Sequence, residues 1–441
     1  MLSIAALVFA AVSAAPFGGH LQIGPGNGMA IPVVSMGMND LHAGEAAPLT
    51  TPWPAVRFGS IRLWDDDTSW NAIETSRGTY DWSMLDNWVN LAESHHVSIE
   101  YTFGRTPSWA GPDQTMPPDD IQDWDDFVTA LVTRYKGRIE AYEIWNEVNN
   151  PNYWTGTLEQ LVLMQQHAHD TIKSIDINAV VLSASFVGGA MHGLTEFLAY
   201  GGAGCVDGVA VHLYPDVTDA AAPEDYLPKW IEGYRSAMRE YGLAGKRLWN
   251  TEFGWGLNTN LPDADLQAGY VARAYILCWS QSVQRNYWYA YDNAGWGTLR
   301  VAHSGDPGVL TEAGRAYTAV YDWLVGAYIT SPCEPGWNGT TWTCGFGRTF
   351  PFGYKALAVW DSLGSAEFTV PPGYGQYRDL DGERWPVSPG STIRIGVRPI
   401  LFESFSPVQG PNRAAYRPTL PGSTGTAAVA SNWLPLHSPD K

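Results

Sequence analysis

Short apolar runs alternate with amphipathic segments between about residue 30 and residue 325. Eight runs have the length of buried strands, namely 31–39, 55–64, 97–103, 139–147, 179–186, 206–214, 247–254 and 285–292. Between or after them, apolar residues recur at helical spacing over 83–96, 121–138, 158–175, 266–284 and 314–330. Strands that alternate with helices predict an α/β protein with a parallel sheet, and eight repeats favour a closed (β/α)8 TIM barrel over an open sheet.

The chain has a different texture after the last helical segment. Residues 331–405 are rich in Gly, Pro, Thr and aromatic residues, and short alternating runs such as "TIRIGV" and "ILFES" are separated by turns. This pattern predicts a smaller all-β, sandwich-like accessory module. We therefore expect the catalytic barrel over 30–328, the module over 331–405 and a flexible Pro/Ser/Ala/Gly-rich tail over 406–441.

Residues 1–15, "MLSIAALVFAAVSAA", are apolar and end in small residues, which is typical of a secretory signal peptide. Cys333 and Cys344 flank the segment "EPGWNGTTWT" and are predicted to form a disulfide, consistent with a secreted, extracellular or periplasmic protein. Cys205 and Cys278 lie in apolar segments and are interpreted as buried free thiols. The sequence leaves open the oligomeric state and whether the sequon at Asn338 is glycosylated.

Charge and aromatic content narrow the choice of partner. The chain has 26 Lys and Arg against 45 Asp and Glu, a formal net charge of -19. This balance argues against a nucleic-acid partner and against binding to an anionic membrane surface. The 21 Trp and 22 Tyr serve mostly in cores, but several stand beside Gly, Pro, Asn or Asp in loop-like positions. Aromatic faces in loops suit sugars, so we expect a carbohydrate partner.

Polar side chains stand at the carboxyl ends of the predicted strands, where a barrel of this kind has its active site. The fourth run ends in Asn146 and Glu147, and the seventh contains Asn250 and Glu252 near its end. Glycoside cleavage needs two facing carboxylates, one to protonate the leaving oxygen and one to attack the anomeric carbon or to activate water. Either glutamate alone is as well explained by a capping role, but the pair favours catalysis.

The two glutamates need environments that separate their pKa values. Arg62, near the end of the second run, and Tyr214, at the end of the sixth, are expected to keep Glu252 ionised. Glu147 follows the apolar Trp145 and is expected to stay protonated.

Other residues near strand ends are candidate sugar contacts: Trp64, Asp65, Trp109, Asn149, Trp255, Trp288 and Tyr291. The run "DDD" at 65–67 has two interpretations. Three consecutive carboxylates cannot all face one ion, so a solvated loop or acceptors for sugar hydroxyls is favoured over a cation site. No zinc-ligand pattern occurs, and the glycine cluster "GPGNGM" precedes the first strand, so neither a metal nor a cofactor is expected.

Several segments carry a resemblance to a known group of enzymes. They are "IWNE" at the fourth strand, "NTEFGW" at the seventh, "GTYDWSMLDNWV", "YTFGRTPSWA" and "GVAVHLYP". With these motifs the chain resembles the clan A glycoside hydrolases, which are retaining enzymes on (β/α)8 barrels. It is most similar to family 39, which includes β-xylosidases and α-iduronidases. The resemblance covers most of residues 35–325.

The resemblance implies specific roles: Glu147 as acid/base, Glu252 as nucleophile, Asn146 at the sugar 2-hydroxyl, Arg62 beside the nucleophile, His212 and Tyr214 as its support, and Trp288 or Tyr291 as an aromatic floor. It implies a secreted retaining hydrolase that forms a covalent glycosyl-enzyme intermediate, with carboxyl groups about 5–5.5 Å apart. Few basic residues occur near the strand ends, which favours a neutral oligo- or polysaccharide. A transglycosylase and a non-catalytic carbohydrate-binding barrel stay open as alternatives.

Overall fold

The computed structural model describes residues 30–40, 42–43, 53–215, 220–255, 261, 263–293 and 309–404. The chain divides into two units, 1–405 and 406–441. The signal peptide expected at 1–15 and the tail expected at 406–441 lie outside the described residues. Among the described helices, none combines the length and the apolar character needed to cross a bilayer.

Eight parallel strands form a closed barrel, as predicted. They are β1 (Met36–Asn39), β2 (Ser60–Leu63), β3 (Ser98–Thr102), β4 (Ala141–Glu143), β5 (Val180–Leu182), β6 (Gly208–His212), β7 (Arg247–Phe253) and β8 (Arg285–Trp288). Each strand pairs with the next along the chain, and β8 pairs with β1 to close the sheet. The two-residue strand Phe186–Val187 adds to β6.

Helices alternate with these strands. They are α1 (Trp70–Ile73), α2 (Ser83–Ser94), α3 (Ile121–Arg134), α4 (Leu158–Ile175), α5 (Met191–Ala199), α6 (Pro223–Glu240), α7 (Ala264–Ser280) and α8 (Glu312–Leu324). The start of α4 is fixed by a capping box, in which the side chains of Thr157 and Gln160 each accept a hydrogen bond from the backbone N–H of the other residue. The helix expected over 314–330 ends earlier, since Gly326 takes a left-handed φ of 78° and a strand follows at once.

The interior of the barrel is unusually polar for a buried sheet. Because helices cover the outside of a parallel barrel, its strands are buried on both faces. Four of the fully buried side chains within the strands nonetheless carry a guanidinium, carboxyl or imidazole group: Arg62, Glu100, Glu143 and His212. Buried charges persist only where they are paired or neutralised, so these residues must interact with one another.

The chain after α8 forms an all-β module, as predicted. Its strands are β9 (Ala327–Pro335), β10 (Thr341–Arg348), β11 (Lys355–Asp361), β12 (Ser365–Thr369), β13 (Gln376–Arg378), β14 (Arg384–Pro386), β15 (Thr392–Gly396) and β16 (Ile400–Glu403). A six-stranded sheet has the order β9-β10-β11-β16-β13-β14, and β12 pairs with β15 in a second sheet. Val359, Val370, Ile395 and Phe402 form a small core within the module.

A tryptophan of the module contacts a buried ion pair of the barrel. Arg273 on α7 is fully buried and donates from Nε to Glu224 Oε1 at 2.8 Å, at the start of α6. Trp360 Nε1, at the end of β11, donates to the same oxygen at 2.7 Å. Residues 268–280 of α7 are all buried, because this helix lies between the barrel and the module.

The predicted disulfide is wrong, because all four cysteines are free in the structure. Cys333 and Cys344 lie on β9 and β10, where the strand register shifts between Ser331 and Glu334. Cys333 Sγ contacts the carbonyl of Ile276 at 3.7 Å, and Cys344 Sγ contacts that of Ser331 at 3.7 Å. The antiparallel pairing of β9 and β10 closes this loop, for which the sequence had suggested a disulfide. Cys205 and Cys278 are buried thiols, as expected.

Candidate active site

A cavity of about 580 Å³ opens at the carboxyl ends of the barrel strands. Its described lining residues are Trp64, Asp65, Glu147, Asn150, Tyr153, Val187, Gly188, Gly189, Tyr214, Pro215, Trp230, Glu252 and Tyr289. The cavity has the size of a small-ligand site, and it combines aromatic walls with a few polar groups. Both predicted catalytic glutamates line it.

Glu252 enters the cavity from a bulge in β7. The register between β7 and β6 shifts between Asn250 and Glu252, and a bulge of this kind re-aims a side chain. Arg62 Nη1 donates a hydrogen bond to Glu252 Oε1. Tyr214 Oη donates to the other oxygen, Oε2, at 3.0 Å. The two partners expected for the nucleophile position are therefore the ones observed.

Glu147 follows β4 with a left-handed backbone. Its φ is 41°, a conformation that non-glycine residues adopt rarely and that concentrates at functional sites. Its backbone N–H donates to Ser185 Oγ at 2.9 Å. Its carboxylate contacts His212 Nδ1 at 2.9 Å through Oε1, and Oε2 accepts from Asn150 Nδ2 at 2.9 Å.

His212 stands between the two glutamates. Its Nδ1 lies 3.5 Å from Glu252 Oε2 as well as 2.9 Å from Glu147 Oε1. One ligand atom from each of the three side chains lies within 4.8 Å of the others, which among the described residues is the one group able to offer three metal ligands. The guanidinium of Arg62 on Glu252 already supplies a positive charge there, which disfavours a second cation.

The electrostatics of Glu252 reflect competing partners. Burial raises its pKa above the usual range, repulsion from Glu147 and Asp65 raises it further, and His212 and Arg62 lower it in part. The net effect is a carboxyl group that ionises at a higher pH than an exposed glutamate. The guanidinium nonetheless donates to it directly, and so favours the ionised form in which a nucleophile acts.

The expected apolar setting of Glu147 is wrong. Burial raises the pKa of Glu147, but the contacts with His212 and Asn150 outweigh burial and leave the pKa below its usual range. The reason is that β6, which is distant in sequence, brings an imidazole to a residue whose sequence neighbours are apolar. Since Glu147 Oε1 and His212 Nδ1 are 2.9 Å apart, one proton can be held between them.

Asn146 takes part in the same network. Its Oδ1 accepts from Arg62 Nη2 at 2.8 Å, and Glu143 Oε1 accepts from the same nitrogen at 2.8 Å. This fixes the orientation of the Asn146 amide and directs its NH2 group away from Arg62. The carboxylates around it hold the pKa of Arg62 well above its usual range despite burial.

Two of the predicted sugar contacts line the cavity. Trp64 forms a wall, and the guanidinium of Arg105 lies 5.0 Å above its ring. Asp65 is held by Arg105 Nη2 at 2.9 Å and by Tyr289 Oη at 2.8 Å. Asp66, next to it, is buried and accepts from the backbone N–H of Trp64 at 2.9 Å. Asp65 is thus a candidate acceptor for sugar hydroxyls, while Asp66 braces the loop.

The other predicted sugar contacts lie outside the cavity lining: Trp109, Asn149, Trp255, Trp288 and Tyr291. Each is engaged in packing or in backbone contacts. Trp109 Nε1 donates to the carbonyl of Glu74 at 2.8 Å, and Trp255 Nε1 donates to that of Ala221 at 3.0 Å.

Trp288 stacks on Trp255 with ring centroids 6.1 Å apart. Tyr291 Oη accepts from the backbone N–H of Ala55 at 3.0 Å, and Asn149 forms two hydrogen bonds with the backbone of Val187. Their positions near strand ends and loops in the sequence did not reveal whether these side chains face the cavity or pack elsewhere.

Sequence reasoning missed Asn150, Tyr153, Trp230 and Tyr289, which line the cavity. Asn150 and Tyr153 follow Glu147 closely in "NNPNYW", so their nearness was a usable signal. Trp230 comes from α6, and a Cβ on Gly189 would meet its ring at 2.9 Å, so a glycine is needed opposite it. Burial, followed by the charges of both glutamates, raises the pKa of Tyr153 to about 12, so its hydroxyl remains a donor.

Comparison with known proteins finds glycoside hydrolases among the proteins that this chain resembles. The profile of Glycosyl hydrolase family 10 matches residues 57–174. A β-xylosidase of Geobacillus stearothermophilus is 25% identical over 232 residues, which is 44% of this chain and 45% of the relative. The matched region therefore spans less than half of that curated relative.

Solved structures extend the comparison to most of the chain. A family 39 glycoside hydrolase from Bacteroides cellulosilyticus WH2 superposes with a TM-score of 0.64 at 19% identity, over 78% of this chain and 75% of that one. The chain has the fold of a clan A glycoside hydrolase. A glucosidase of Croceicoccus marinus superposes with a TM-score of 0.61 at 16% identity, over 85% and 97% of the two chains. The resemblance to clan A, with family 39 among its relatives, is thus confirmed.

Proposed function

We propose that this chain is a retaining glycoside hydrolase that uses Glu252 as nucleophile and Glu147 as acid/base. The observation that carries the proposal is the approach of the two carboxylates: one oxygen of each lies within 4.8 Å of the other. Retaining enzymes hold their carboxyl groups about 5–5.5 Å apart, and inverting enzymes hold them about 6.5–9.5 Å apart to admit a water. The surroundings also differ, since Arg62 donates to Glu252 and His212 contacts Glu147.

The reaction follows from these contacts. The proton held between Glu147 and His212 passes to the glycosidic oxygen as Glu252 Oε2 attacks the anomeric carbon. The bond to the leaving group breaks, and a covalent glycosyl-enzyme ester forms. Glu147, now ionised, removes a proton from a water that attacks the anomeric carbon, and Glu252 departs as a carboxylate with retained configuration. Arg62 and Tyr214 stabilise the charge on Glu252 in both steps.

A neutral sugar fits the cavity best. Among the described residues that line it, none is Lys or Arg, whereas Asp65 and the two glutamates are acidic. An anionic sugar would be repelled, while hydroxyl groups find carboxylate and tyrosine partners. The likeness to a β-xylosidase makes β-xylosides the first substrates to test. We further propose that the protein acts outside the cytoplasm, on the basis of the apolar segment at 1–15.

A screen of aryl glycosides and of plant and bacterial polysaccharides tests the proposal, with NMR of the first-formed anomer. Release of a product with retained configuration, and its loss in Glu252→Ala, is the expected result. A first-formed product of inverted configuration, or near-full activity in Glu252→Ala, would show the mechanism to be wrong.

The acid/base assignment has a separate test. Glu147→Gly should retain glycosylation on activated aryl glycosides, because these need no protonation of the leaving group, and azide should accelerate their turnover. Glycosides with poor leaving groups should stay inactive with or without azide. Equal rescue of both classes of substrate would contradict the assignment.

A further inference from the structure

A carboxylate from the end of β4 lies behind both proposed catalytic glutamates. Glu143 Oε1 accepts a hydrogen bond from Arg62 Nη2 at 2.8 Å, and the same oxygen lies 3.9 Å from His212 Nε2. Arg62 is the partner of Glu252, and His212 is the partner of Glu147. One carboxylate thus contacts the guanidinium on one side and faces the imidazole on the other.

Several polar atoms around Glu143 lack a hydrogen bond. Within the part of the chain that the structure describes, none reaches Glu143 Oε2, His212 Nε2 or Arg62 Nε. All three side chains are fully buried. Unsatisfied buried polar atoms cost free energy, so a cluster of them calls for an explanation other than stability.

Glu100 on the neighbouring β3 provides an internal comparison. Its Oε2 lies 3.3 Å from Arg62 Nε without forming a hydrogen bond, and its Oε1 accepts from Thr102 Oγ1 at 3.1 Å. Burial, and then repulsion from Glu143, holds the pKa of Glu100 well above its usual range, which favours the neutral form of this group. Arg62 thus donates hydrogen bonds to Glu143 and Glu252 but not to Glu100.

We propose that Glu143 is a positioning residue that shares Arg62 with Glu252 and places a negative charge beside His212, behind Glu147. The inference rests on the proposed retaining mechanism and deepens it. Because Glu143 occupies one guanidinium nitrogen, Arg62 does not neutralise Glu252 completely, and a carboxylate that is less neutralised is the better nucleophile. The negative charge beside His212 also favours retention of the proton by the Glu147–His212 pair.

Removal of this charge has a defined sign at both catalytic groups. The full charge of Arg62 would then act on Glu252 and favour its ionised form, and the Glu147–His212 pair would release its proton at a lower pH. Both limbs of the pH profile of kcat/KM should therefore move to lower pH. The ionisable groups that face the network are Arg62, Asp65, Glu100, Glu147, Tyr153, His212, Tyr214, Glu252 and Tyr289.

The test compares Glu143→Gln with Glu100→Gln, which each remove one carboxyl group near Arg62 without a change in shape. The measurement is the pH profile of kcat/KM on an aryl glycoside that the wild-type protein hydrolyses. Glu143→Gln should shift both limbs downward by about one pH unit and lower the plateau about tenfold. Glu100→Gln should leave both limbs in place and the plateau within about twofold, because Glu100 forms no hydrogen bond with Arg62 and its raised pKa favours the neutral form.

Two further variants make the test decisive. If Glu100 ionises when Glu143 is replaced, the downward shift of the two limbs in Glu143→Gln will be smaller than about one pH unit. The double variant, Glu143→Gln with Glu100→Gln, should then show the full shift. Glu143→Asp keeps the charge but withdraws it from Arg62, so it should lower the plateau while both limbs stay near their wild-type positions. This variant is measured by itself if the glutamine variant does not fold.

Three results would overturn the inference: unchanged limbs in the double variant, equal shifts in the two single glutamine variants, or a wild-type plateau in Glu143→Asp. Failure of both Glu143 variants to fold while Glu100→Gln folds would also overturn it, since Glu143 would then serve stability. These results differ from failure of the proposed function, in which the wild-type protein hydrolyses no glycoside or Glu252→Ala keeps its activity.

Discussion

Two buried glutamates, one at the barrel mouth and one in the β-module, differ in how their oxygens are satisfied. Glu403 on β16 is fully buried, and both of its oxygens have donors. Tyr354 Oη donates to one at 2.6 Å, with Arg378 Nη2 3.3 Å away, and Gln376 Nε2 donates to the other at 2.8 Å. This carboxylate has Arg378 as its cation, and it does not line the cavity.

Glu252 is also buried, but it shares its cation and meets other acidic groups. Arg62 is divided between Glu252 and Glu143, and repulsion from Glu147 and Asp65 adds to the burial that raises the pKa of Glu252. A carboxylate with fully matched partners serves the fold, whereas one in a crowded acidic site is kept at a cost in stability that function explains.

The largest expected effect is that of Glu252→Gln on turnover. Loss of the proposed nucleophile should reduce kcat/KM by at least ~10⁴-fold. The free energy of unfolding at pH 7 should stay equal or rise, because the raised pKa means that ionised Glu252 opposes folding above that pKa. This gain should vanish as the pH falls below the usual glutamate range, where the group is protonated in both states. Urea unfolding at about pH 7 and about pH 3 measures it, and a marked loss of stability at pH 7 would break the comparison.

Glu403→Gln should show the opposite pattern. Removal of the charge that Arg378, Tyr354 and Gln376 surround should lower the free energy of unfolding by roughly 3 kcal/mol, with kcat/KM of the surviving folded protein unchanged. Glu367→Gln on β12 is the matched control, because this glutamate is exposed in the same module and should have little effect. A large loss of activity without a loss of stability would contradict the assignment of Glu403 to stability of the fold.

Tyr214→Phe should affect Glu252 in the direction opposite to Glu143→Gln. The hydroxyl stabilises the ionised carboxylate, so its removal raises the pKa of Glu252 and moves the acid limb of kcat/KM to higher pH, with a loss of about tenfold at the plateau. Tyr226→Phe is the control, since its hydroxyl donates to the Leu213 carbonyl and not to Glu252. An acid limb that moves to lower pH would contradict this account of Glu252.

The smallest expected effect concerns the module. Because Cys333 and Cys344 are free thiols, a reducing agent should shift the melting temperature by less than about 1 °C. Alkylation of the unfolded, unreduced protein should modify all four cysteines, as mass spectrometry can show. A shift of several degrees together with only two modified cysteines would mean that a disulfide, and not packing alone, stabilises the module.

The sequence was sufficient for the barrel because strand and helix periods differ. Each observed barrel strand lies within one of the eight apolar runs, and β7 alone covers nearly all of its run. Glu147 and Glu252 were also accessible, since parallel strands bring their carboxyl ends to one mouth. The retaining geometry follows only when the bulge in β7 and the left-handed φ of Glu147 are known, and neither has a sequence signature.

The environment of each catalytic glutamate was harder to predict from the sequence. Glu143 lies inside an apolar run and carries no strand-end signal, although it contacts Arg62. The sequence left open which of His212 and Tyr214 contacts Glu252. In the structure Tyr214 does, and the shorter contact of His212 is to Glu147. Such partners come from strands distant in the chain, so sequence neighbours such as Trp145 misled the pKa argument.

The ion pair between Arg273 and Glu224, capped by Trp360, bears on how this protein can evolve. Separation of the chain near Ala327 would remove Trp360 and uncover a helix that is buried over 268–280. Water would then compete with Glu224 for the guanidinium of Arg273, which was fully enclosed. The exposed apolar surface would favour association between copies of the chain. We therefore expect recombination to exchange barrel and module together, and an isolated barrel gene to encode an insoluble product.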